Sequence, residues 1–407
     1  MGYSKDTIKG VSWMGALRVA IRGLTIVRLA ILARLLSPYE FGLFGIAILM
    51  LALLETVTET GINVFLIQNE GELKDYVSSA WFVSIIRGIV ISAVLLIFSG
   101  LISTFFNSPN ALPLIRLMAV IPFLRGFINP SEVKFQKNLE FNKEFALRLS
   151  CFLADAAVSI TLSILTGKAI ALIWGMAAGV VMELIISHVF ISPKPKLRFE
   201  KVKIRNVFNR GKWVTASSIM QYFFSNGDNI TVGKLLSTSA LGYYQMAYNV
   251  SMLPVTEISN IFYTVSFPVF TRFADDSKRL EKAFLKVSGL VAILVIPIGL
   301  VLFYFTTPLV SLVLGDKWLS IVPVLKILTF GGIVRAVTGI FPAVYLAIKK
   351  QEYATAAALV NFLGLITTII PAVLKFGIIG AGYSVVFACL ISVPLHIYYY
   401  IKIFNRR

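Results

Sequence analysis

Residues 33–47 read ARLLSPYEFGLFGIA, and residues 233–247 read GKLLSTSALGYYQMA. Five of the fifteen aligned positions are identical, namely Leu35/Leu235, Leu36/Leu236, Ser37/Ser237, Gly42/Gly242 and Ala47/Ala247. Typical residue frequencies give about one such identity by chance. Both stretches follow the first apolar run of their half of the chain, so we interpret them as copies in an internal repeat. The alternative is coincidence in a leucine-rich chain.

The composition of the 407 residues is that of a membrane protein. Hydrophobic residues make up 57% of the chain and charged residues 14%, whereas soluble domains carry about 25% charged residues. A chain with so little polar surface is expected to have the bilayer as its solvent. In a soluble protein, a formal net charge of +18 would indicate binding to nucleic acid. Here membrane topology accounts for the cations, so we predict no nucleic-acid partner.

Apolar runs long enough to cross a bilayer recur along the whole chain. A transmembrane helix needs about 20 mostly apolar residues, and charged residues, prolines and glycines mark the breaks between such runs. The predicted helices are 12–36, 41–66, 77–105, 111–130, 145–166, 169–191, 213–236, 241–266, 284–314, 319–347, 354–376 and 379–401. The predicted fold class is an all-α integral membrane protein with about twelve transmembrane helices in two six-helix bundles.

The connections between these runs alternate between cation-rich and cation-poor segments. Under the positive-inside rule the cation-rich set, which includes both ends of the chain, is cytoplasmic. The most basic connection, residues 192–212, holds eight cations and one acid. We therefore predict an N-terminal bundle (1–192), a basic cytoplasmic linker (193–212) and a C-terminal bundle (213–407). Because each half has an even number of helices, the repeat is parallel, as in transporters that open a central cavity to alternate sides.

Three stretches resemble one known family: ARLLSPYEFGLF (33–44), SNGDNITVGKLLSTSALGYYQMAYNV (225–250) and FYTVSFPVFTRFADD (262–276). They are similar to bacterial polysaccharide exporters, the O-antigen and colanic-acid flippase group of the multidrug/oligosaccharidyl-lipid/polysaccharide (MOP) superfamily. The resemblance implies a flippase in the cytoplasmic (inner) membrane. Its implied substrate is undecaprenyl-pyrophosphate-linked oligosaccharide, moved to the outer leaflet for O-antigen or exopolysaccharide biosynthesis. Its expected partners are that substrate, membrane lipids, a monovalent cation (Na+ or H+), and the polysaccharide polymerase and glycosyltransferases.

Many relatives in this family have two further helices at the C-terminal end, beyond the twelve predicted here. A lipid-tail groove formed by such helices is therefore not predicted. The three matching stretches are structural motifs and do not specify the sugar.

Charged residues inside the predicted helices are candidates for transport. A charge at the centre of a membrane helix costs at least about 2.5–3.5 kcal/mol, so it is expected to face a cavity or a partner. Counted from the turn of the first hairpin, Arg22 and Glu55 lie at similar depth on antiparallel neighbours, as do Arg18 and Glu59. The two charges on each helix are four residues apart and share one face. A structural ladder of ion pairs is the alternative to a transport role.

The repeat offset of 200 places Arg28 opposite Asp228 in the second half. At this position the two halves carry opposite charges at the same depth. One hypothesis is that the pair forms a gate that closes the outer side of the cavity. A second is that Arg28 binds the substrate pyrophosphate while Asp228 senses a cation. The alternative to both is that each residue is paired inside its own bundle.

Arg87, Arg125 and Arg335 complete the candidate cationic lining. Guanidinium suits pyrophosphate because its planar fork makes two hydrogen bonds and stays charged, although Arg125 could instead contact lipid headgroups. Asp155 and Glu183 lie at matching depth on the fifth and sixth helices, with no basic residue of those helices at their level. The predicted substrate-binding residues are Arg28, Arg22, Arg87 and Arg335, and the predicted gate or cation-coupling residues are Asp228, Glu55 and Asp155.

Other classes of function fit the sequence less well. The two histidines, His188 and His396, lie in helix bodies, and no nucleophile–histidine–acid set is visible, so we predict neither an enzyme nor a cofactor or metal site. A membrane glycosyltransferase would usually carry a large outer loop, and every predicted outer loop is short. The main alternative is a cation-coupled small-molecule or drug exporter of the same superfamily.

Overall fold

The structure is a computed structural model that describes residues 21, 23–59, 74–138, 140–196, 218–219 and 221–404. Predictions for Arg18, Arg22 and most of the linker 193–212 fall outside these ranges. The described residues divide into two compact units, with the boundary between Phe223 and Phe224. The predicted domain limits at 192 and 213 stay a prediction.

The first unit is a set of helices and short turns. Its elements are α1 (23–35), α2 (Pro38–Val57), α3 (Lys74–Phe105), α4 (Ala111–Met118), α5 (Val120–Gly126), a 3-10 turn (Pro130–Glu132), α6 (Val133–Lys137), α7 (Phe141–Thr166) and α8 (Ile170–Val189).

The second unit is also helical, and most of α9 (221–235) belongs to it. The elements that follow are α10 (Thr238–Arg272), α11 (Ser277–Tyr304), α12 (Thr306–Val313), a 3-10 turn (Asp316–Ile321), α13 (Val322–Thr338), α14 (Phe341–Ala347) and α15 (Gln351–Phe404). None of the described residues is in a strand.

The prediction of an all-α membrane protein is confirmed. Seven helical segments among the described residues are long and apolar enough to cross a membrane. The last of them, α15, contains both of the final predicted runs, and Gly377 at φ 61° interrupts the helix between them. Large apolar side chains such as Ile97 and Leu165 are 74% and 73% exposed, as expected for residues that face lipid.

The predicted fourth helix, 111–130, is broken into two pieces. α4 ends at Met118 and α5 begins at Val120. Pro122 lies in the first turn of α5 and has no backbone N–H, so it cannot donate to the carbonyl of Met118. The two short pieces therefore replace one continuous helix.

The repeated stretches form the same capped helix start in each unit. The Ser37 hydroxyl accepts a hydrogen bond from the backbone N–H of Glu40 at the start of α2. The Ser237 hydroxyl accepts one from the N–H of Ala240 at the start of α10. A serine cap stabilises a helix by about 1 kcal/mol because it satisfies an otherwise unpaired N–H. The identical serines of the repeat are thus explained by local structure.

Glycines bring the helices of the first unit close together. A Cβ added at Gly175 of α8 would lie 2.5 Å from Oδ1 of Asp155 and 2.5 Å from Cβ of Ser159, both on α7. A Cβ added at Gly88 of α3 would lie 2.4 Å from the carbonyl oxygen of Pro122. Small residues at such crossings let the backbones of two helices approach closely. Charged side chains near these crossings are thereby brought close to side chains of the neighbouring helix.

We expect Gly175→Ala to lower the stability of the protein by about 1–3 kcal/mol, because the added methyl group overlaps Asp155 and Ser159. The measurement is the midpoint of thermal unfolding in detergent micelles. Gly100→Ala is the matched control, since a Cβ at Gly100 meets no atom within 4 Å. An unchanged midpoint for Gly175→Ala would contradict the close packing of α7 against α8.

Candidate functional site

A cavity of about 620 Å³ lies within the first unit. Its wall is formed by α2, α3, α5, the 3-10 turn at Pro130–Glu132, α7 and α8. Both cations and acids line it, and the charged lining residues are Glu55, Glu59, Arg87, Arg125, Glu132, Arg148 and Glu183. Such a wall offers both guanidinium donors and carboxylate acceptors to a ligand.

Arg87 is fixed at the C-terminal end of α2. Its Nη2 donates to the backbone carbonyl of Glu55 at 2.6 Å, and its Nε donates to the hydroxyl of Thr58 at 3.1 Å. The last carbonyls of a helix lack intrahelical donors and carry partial negative charge. Arg87 therefore stabilises the end of α2 and holds a positive charge at the cavity wall. Its role as a substrate ligand stays a prediction.

Arg125 pairs with Glu55 across the cavity wall. Its Nη1 lies 2.5 Å from Oε1 of Glu55, and the two side chains are 40% and 30% exposed. An ion pair this open to water stabilises the fold by about 1 kcal/mol or less. A stronger anion in the cavity can therefore displace Glu55 from Arg125 at little cost.

Arg148 is a cavity residue that the sequence analysis missed. Its Nη2 lies 3.4 Å from Oε1 of Glu132, and its Nη1 contacts the carboxylate of Glu183. The expectation that no basic residue of the fifth and sixth helices lies at the level of Glu183 was wrong, because Arg148 of α7 contacts it. A signal was present, because Arg148 and Asp155 are seven residues apart and so share one face of α7.

Arg28 reaches Asp155 inside the first unit. Its Nη2 lies 2.7 Å from Oδ1 of Asp155, and its Nε donates to the hydroxyl of Ser159 at 3.2 Å. Asp155 and Ser159 are one turn apart on the same face of α7, so together they hold α1 against α7. The carboxylate of Asp155 is thus neutralised by α1, a helix that the depth comparison of α7 and α8 did not include.

Asp228 is enclosed in the second unit and is only 2% exposed. Its Oδ1 accepts from the backbone N–H of Asn229 at 2.8 Å and from the side-chain amide of the same residue at 3.1 Å. Its Oδ2 accepts from the hydroxyl of Tyr244 at 2.8 Å. These donors satisfy a buried carboxylate, whose burial would otherwise be costly.

Arg335 of α13 lies in the same unit. Its Nη1 donates to the hydroxyl of Tyr248 at 3.1 Å, and its guanidinium stacks 5.7 Å from the ring centroid of Phe224. Tyr244 and Tyr248 are one turn apart on α10, so neighbouring tyrosines contact Asp228 and Arg335.

The predicted site residues therefore fall into three places. Glu55 and Arg87 line the cavity of the first unit, Arg28 and Asp155 form an ion pair in that unit, and Asp228 and Arg335 lie in the second unit. Arg22 is outside the described residues. Arg28 and Asp228 each have partners in their own unit, which is the alternative that the repeat left open. A gate formed by this pair stays a prediction.

Comparison with known proteins identifies relatives over most of the chain. Residues 31–323 match the family described as "Polysaccharide biosynthesis protein". The lipopolysaccharide biosynthesis protein WzxC of Escherichia coli (strain K12) is 29% identical over 343 residues, which cover 83% of this chain and 69% of that protein.

Two kinds of solved structure share the fold. The lipid II flippase MurJ, in an inward closed conformation, aligns with a TM-score of 0.77 and 18% identity over 98% of this chain and 89% of MurJ. An inward-facing multidrug resistance MATE family transporter of the MOP superfamily aligns with a TM-score of 0.69 and 12% identity, over 93% of each chain. Because the family match spans well over half of the sequence, this chain, whose described residues include seven candidate membrane spans, belongs to the family described as "Polysaccharide biosynthesis protein".

Proposed function

We propose that this protein flips a lipid-linked oligosaccharide, carried on undecaprenyl pyrophosphate, from the cytoplasmic to the outer leaflet of the cytoplasmic membrane. The flipped product would serve surface polysaccharide biosynthesis. Membership of the polysaccharide biosynthesis protein family supports this function, as does the naming of WzxC for lipopolysaccharide biosynthesis and of MurJ as a lipid II flippase. Both termini are proposed to be cytoplasmic, on the distribution of cations.

The observation that carries the proposal is the guanidinium-lined cavity in the first unit. A pyrophosphate cannot enter a low-dielectric membrane protein unless its charge is neutralised. Arg87, Arg125 and Arg148 bring three permanently charged, planar donors to one cavity wall, and such donors bind phosphate oxygens in pairs. The oligosaccharide would remain in the aqueous part of the cavity.

The cavity acids have a complementary role in this proposal. Glu55 pairs with Arg125 while the cavity is empty, so the charge of the guanidinium is neutralised before the substrate arrives. An entering pyrophosphate replaces the carboxylate as the partner of the guanidinium. When the substrate leaves, Glu55 returns, and release is thereby assisted.

Arg28, Arg335 and Arg22 are retained as further proposed substrate ligands, and Asp228, Asp155 and Glu55 as proposed gate or cation-coupling groups. Asp155 and Ser159 engage Nη2 and Nε of Arg28, so the full guanidinium fork would become available to an anion once the pair with Asp155 has opened. Coupling to Na+ or H+ would provide that opening by neutralising Asp155. Rocking of the two units between inward-open and outward-open states is the proposed mechanism.

We expect Arg28→Ala to abolish surface polysaccharide in a complemented deletion strain while the amount of protein in the membrane is kept. The measurement is polysaccharide output against an immunoblot of the membrane fraction. Lys143→Ala, which removes a pair with Glu140 that is open to water, is the matched control and should retain output.

The double variant Arg28→Ala/Asp155→Ala distinguishes transport from packing, because it leaves no unpaired charge. We expect it to be stable and inactive. Normal output from either variant would contradict the role of Arg28. A deletion strain with intact polysaccharide and raised drug sensitivity would favour the drug-exporter alternative.

We expect Glu55→Gln to bind a short-chain lipid pyrophosphate about two- to five-fold more tightly, because the competing carboxylate contributes about 0.5–1 kcal/mol. Binding of farnesyl pyrophosphate to the purified protein, measured by calorimetry, tests this. Glu352→Gln, which changes an acid that is 60% exposed in the second unit, should leave the affinity unchanged. Weaker binding by Glu55→Gln would show that Glu55 does not compete with the substrate.

A further inference from the structure

Glu132, Arg148 and Glu183 form a three-residue cluster at one end of the cavity, named here the Glu–Arg–Glu cluster. They come from the 3-10 turn at Pro130–Glu132, from α7 and from α8. One guanidinium contacts both carboxylates, so the cluster carries a formal charge of −1 when both acids are ionised. A buried charge without a partner is costly, and one arginine neutralises only one of the two acids.

The second carboxylate oxygen of Glu132 has no partner among the described residues. Oε1 of Glu132 contacts Arg148, whereas Oε2 is buried and accepts no hydrogen bond. An ionised carboxylate with an unsatisfied buried oxygen loses its hydration without compensation. A neutral carboxylic acid at the same place avoids most of that cost.

The backbone next to Glu132 is anchored by buried hydrogen bonds. Asn129 and Ser131 are fully buried. The side-chain amide of Asn129 donates to the carbonyl of Ser187 at 3.1 Å, and the hydroxyl of Ser131 donates to the carbonyl of Pro193 at 2.6 Å. These bonds fasten the turn to the C-terminal end of α8 and the segment after it, where helix carbonyls need donors. The fold therefore fixes the backbone from which the Glu132 side chain extends to Arg148.

We propose that the Glu–Arg–Glu cluster is a proton-binding site, in which Glu132 takes up a proton while Arg148 neutralises Glu183. The proton comes from water in the cavity and returns to it, so no other reactant is required. Protonation brings the cluster to neutrality, and deprotonation places one negative charge in the cavity wall.

The electrostatic surroundings support this assignment. Burial raises the pKa of Glu132 to about 7, an effect that Arg148 opposes and the neighbouring Glu183 reinforces. Besides the cluster itself, the charged residues that line the cavity are Glu55, Glu59, Arg87 and Arg125, and Glu144 and Cys151 of α7 also interact with the cluster. The formal charges of the nearby cavity residues, Glu55 with Arg125 and Glu59 with Arg87, cancel, so the excess acid belongs to the cluster itself.

A link between this proton and transport rests on the proposed function. A pyrophosphate in the cavity adds negative charge near Glu132 and so increases the affinity of the Glu132 carboxylate for a proton. By reciprocity, the protonated cluster binds the pyrophosphate more tightly. Binding of the substrate would therefore promote proton uptake by Glu132, and proton uptake would promote binding of the substrate.

Infrared difference spectroscopy of the purified full-length protein, titrated from about pH 5 to about pH 9, tests the proton site because it detects the carbonyl stretch of protonated carboxyl groups. We expect a band that disappears with a midpoint near pH 7 in the wild type. Glu132→Gln should remove the band, and Glu352→Gln should leave it in place. Absence of a titrating band, or its survival in Glu132→Gln, would overturn the proposal.

Glu183→Gln provides a second variant that keeps the proton-binding residue. Removing the neighbouring negative charge should retain the band and lower its midpoint by about one pH unit. Addition of farnesyl pyrophosphate to the wild type should raise the midpoint. A band that titrates but does not respond to farnesyl pyrophosphate would overturn the link to the substrate while leaving the proton site intact.

The pH dependence of stability gives a further prediction. The folded protein binds the proton of Glu132 more tightly than the unfolded chain, whose glutamate has its ordinary pKa of 4.5. The stability contributed by this proton is complete below about pH 4.5 and is lost as the pH rises through about 7. We expect the thermal midpoint of the wild type to fall across this range relative to Glu132→Gln, which is always neutral. Parallel curves for the two proteins would contradict proton binding at Glu132.

Discussion

The first unit depends on the rule that a charge among membrane-spanning helices must have a partner. Arg28 joins α1 to α7 through Asp155, Arg125 joins α5 to α2 through Glu55, and Arg148 joins α7 to α8 through Glu183. Breaking a largely buried pair such as Arg28–Asp155 leaves an uncompensated charge and costs more than the pair itself contributes. The ion pairs therefore fix which helices are neighbours, and the same pairs place guanidinium groups around the cavity.

Close helix packing makes these pairs possible. Gly175 lets α8 approach Asp155 on α7, and Gly88 lets α3 approach α5 next to Arg87 and Arg125. A larger residue at either glycine would separate backbones that are already in contact. The glycines thus set the geometry in which opposite charges meet, and the cavity is the space left where the helices diverge.

Much of the fold followed from the sequence because hydrophobic runs and turns are local signals. The break at Gly377 separates two predicted helices, and both copies of the repeat begin a helix in the same way. The ion-pair partners of the charged residues were harder to predict. Counting residues gives the depth of a side chain along its helix, but it does not show which helices are packed next to it. Asp155 was compared with Glu183 at the same depth, whereas its cation comes from α1. Glu132 was overlooked because it lies in a predicted connection, and its burial depends on the tertiary contacts of Asn129 and Ser131.

The central claim is that guanidinium groups neutralise a pyrophosphate while a lipid-linked sugar crosses the membrane. Purified protein in lipid vesicles can be given fluorescent oligosaccharide on a prenyl pyrophosphate, with the same sugar on an uncharged prenyl ether as a comparison. Accessibility of the sugar to an enzyme outside the vesicles reports translocation. We predict that the protein moves the pyrophosphate-linked sugar and leaves the uncharged lipid in place, whereas equal movement of both lipids, or of neither, would contradict the claim.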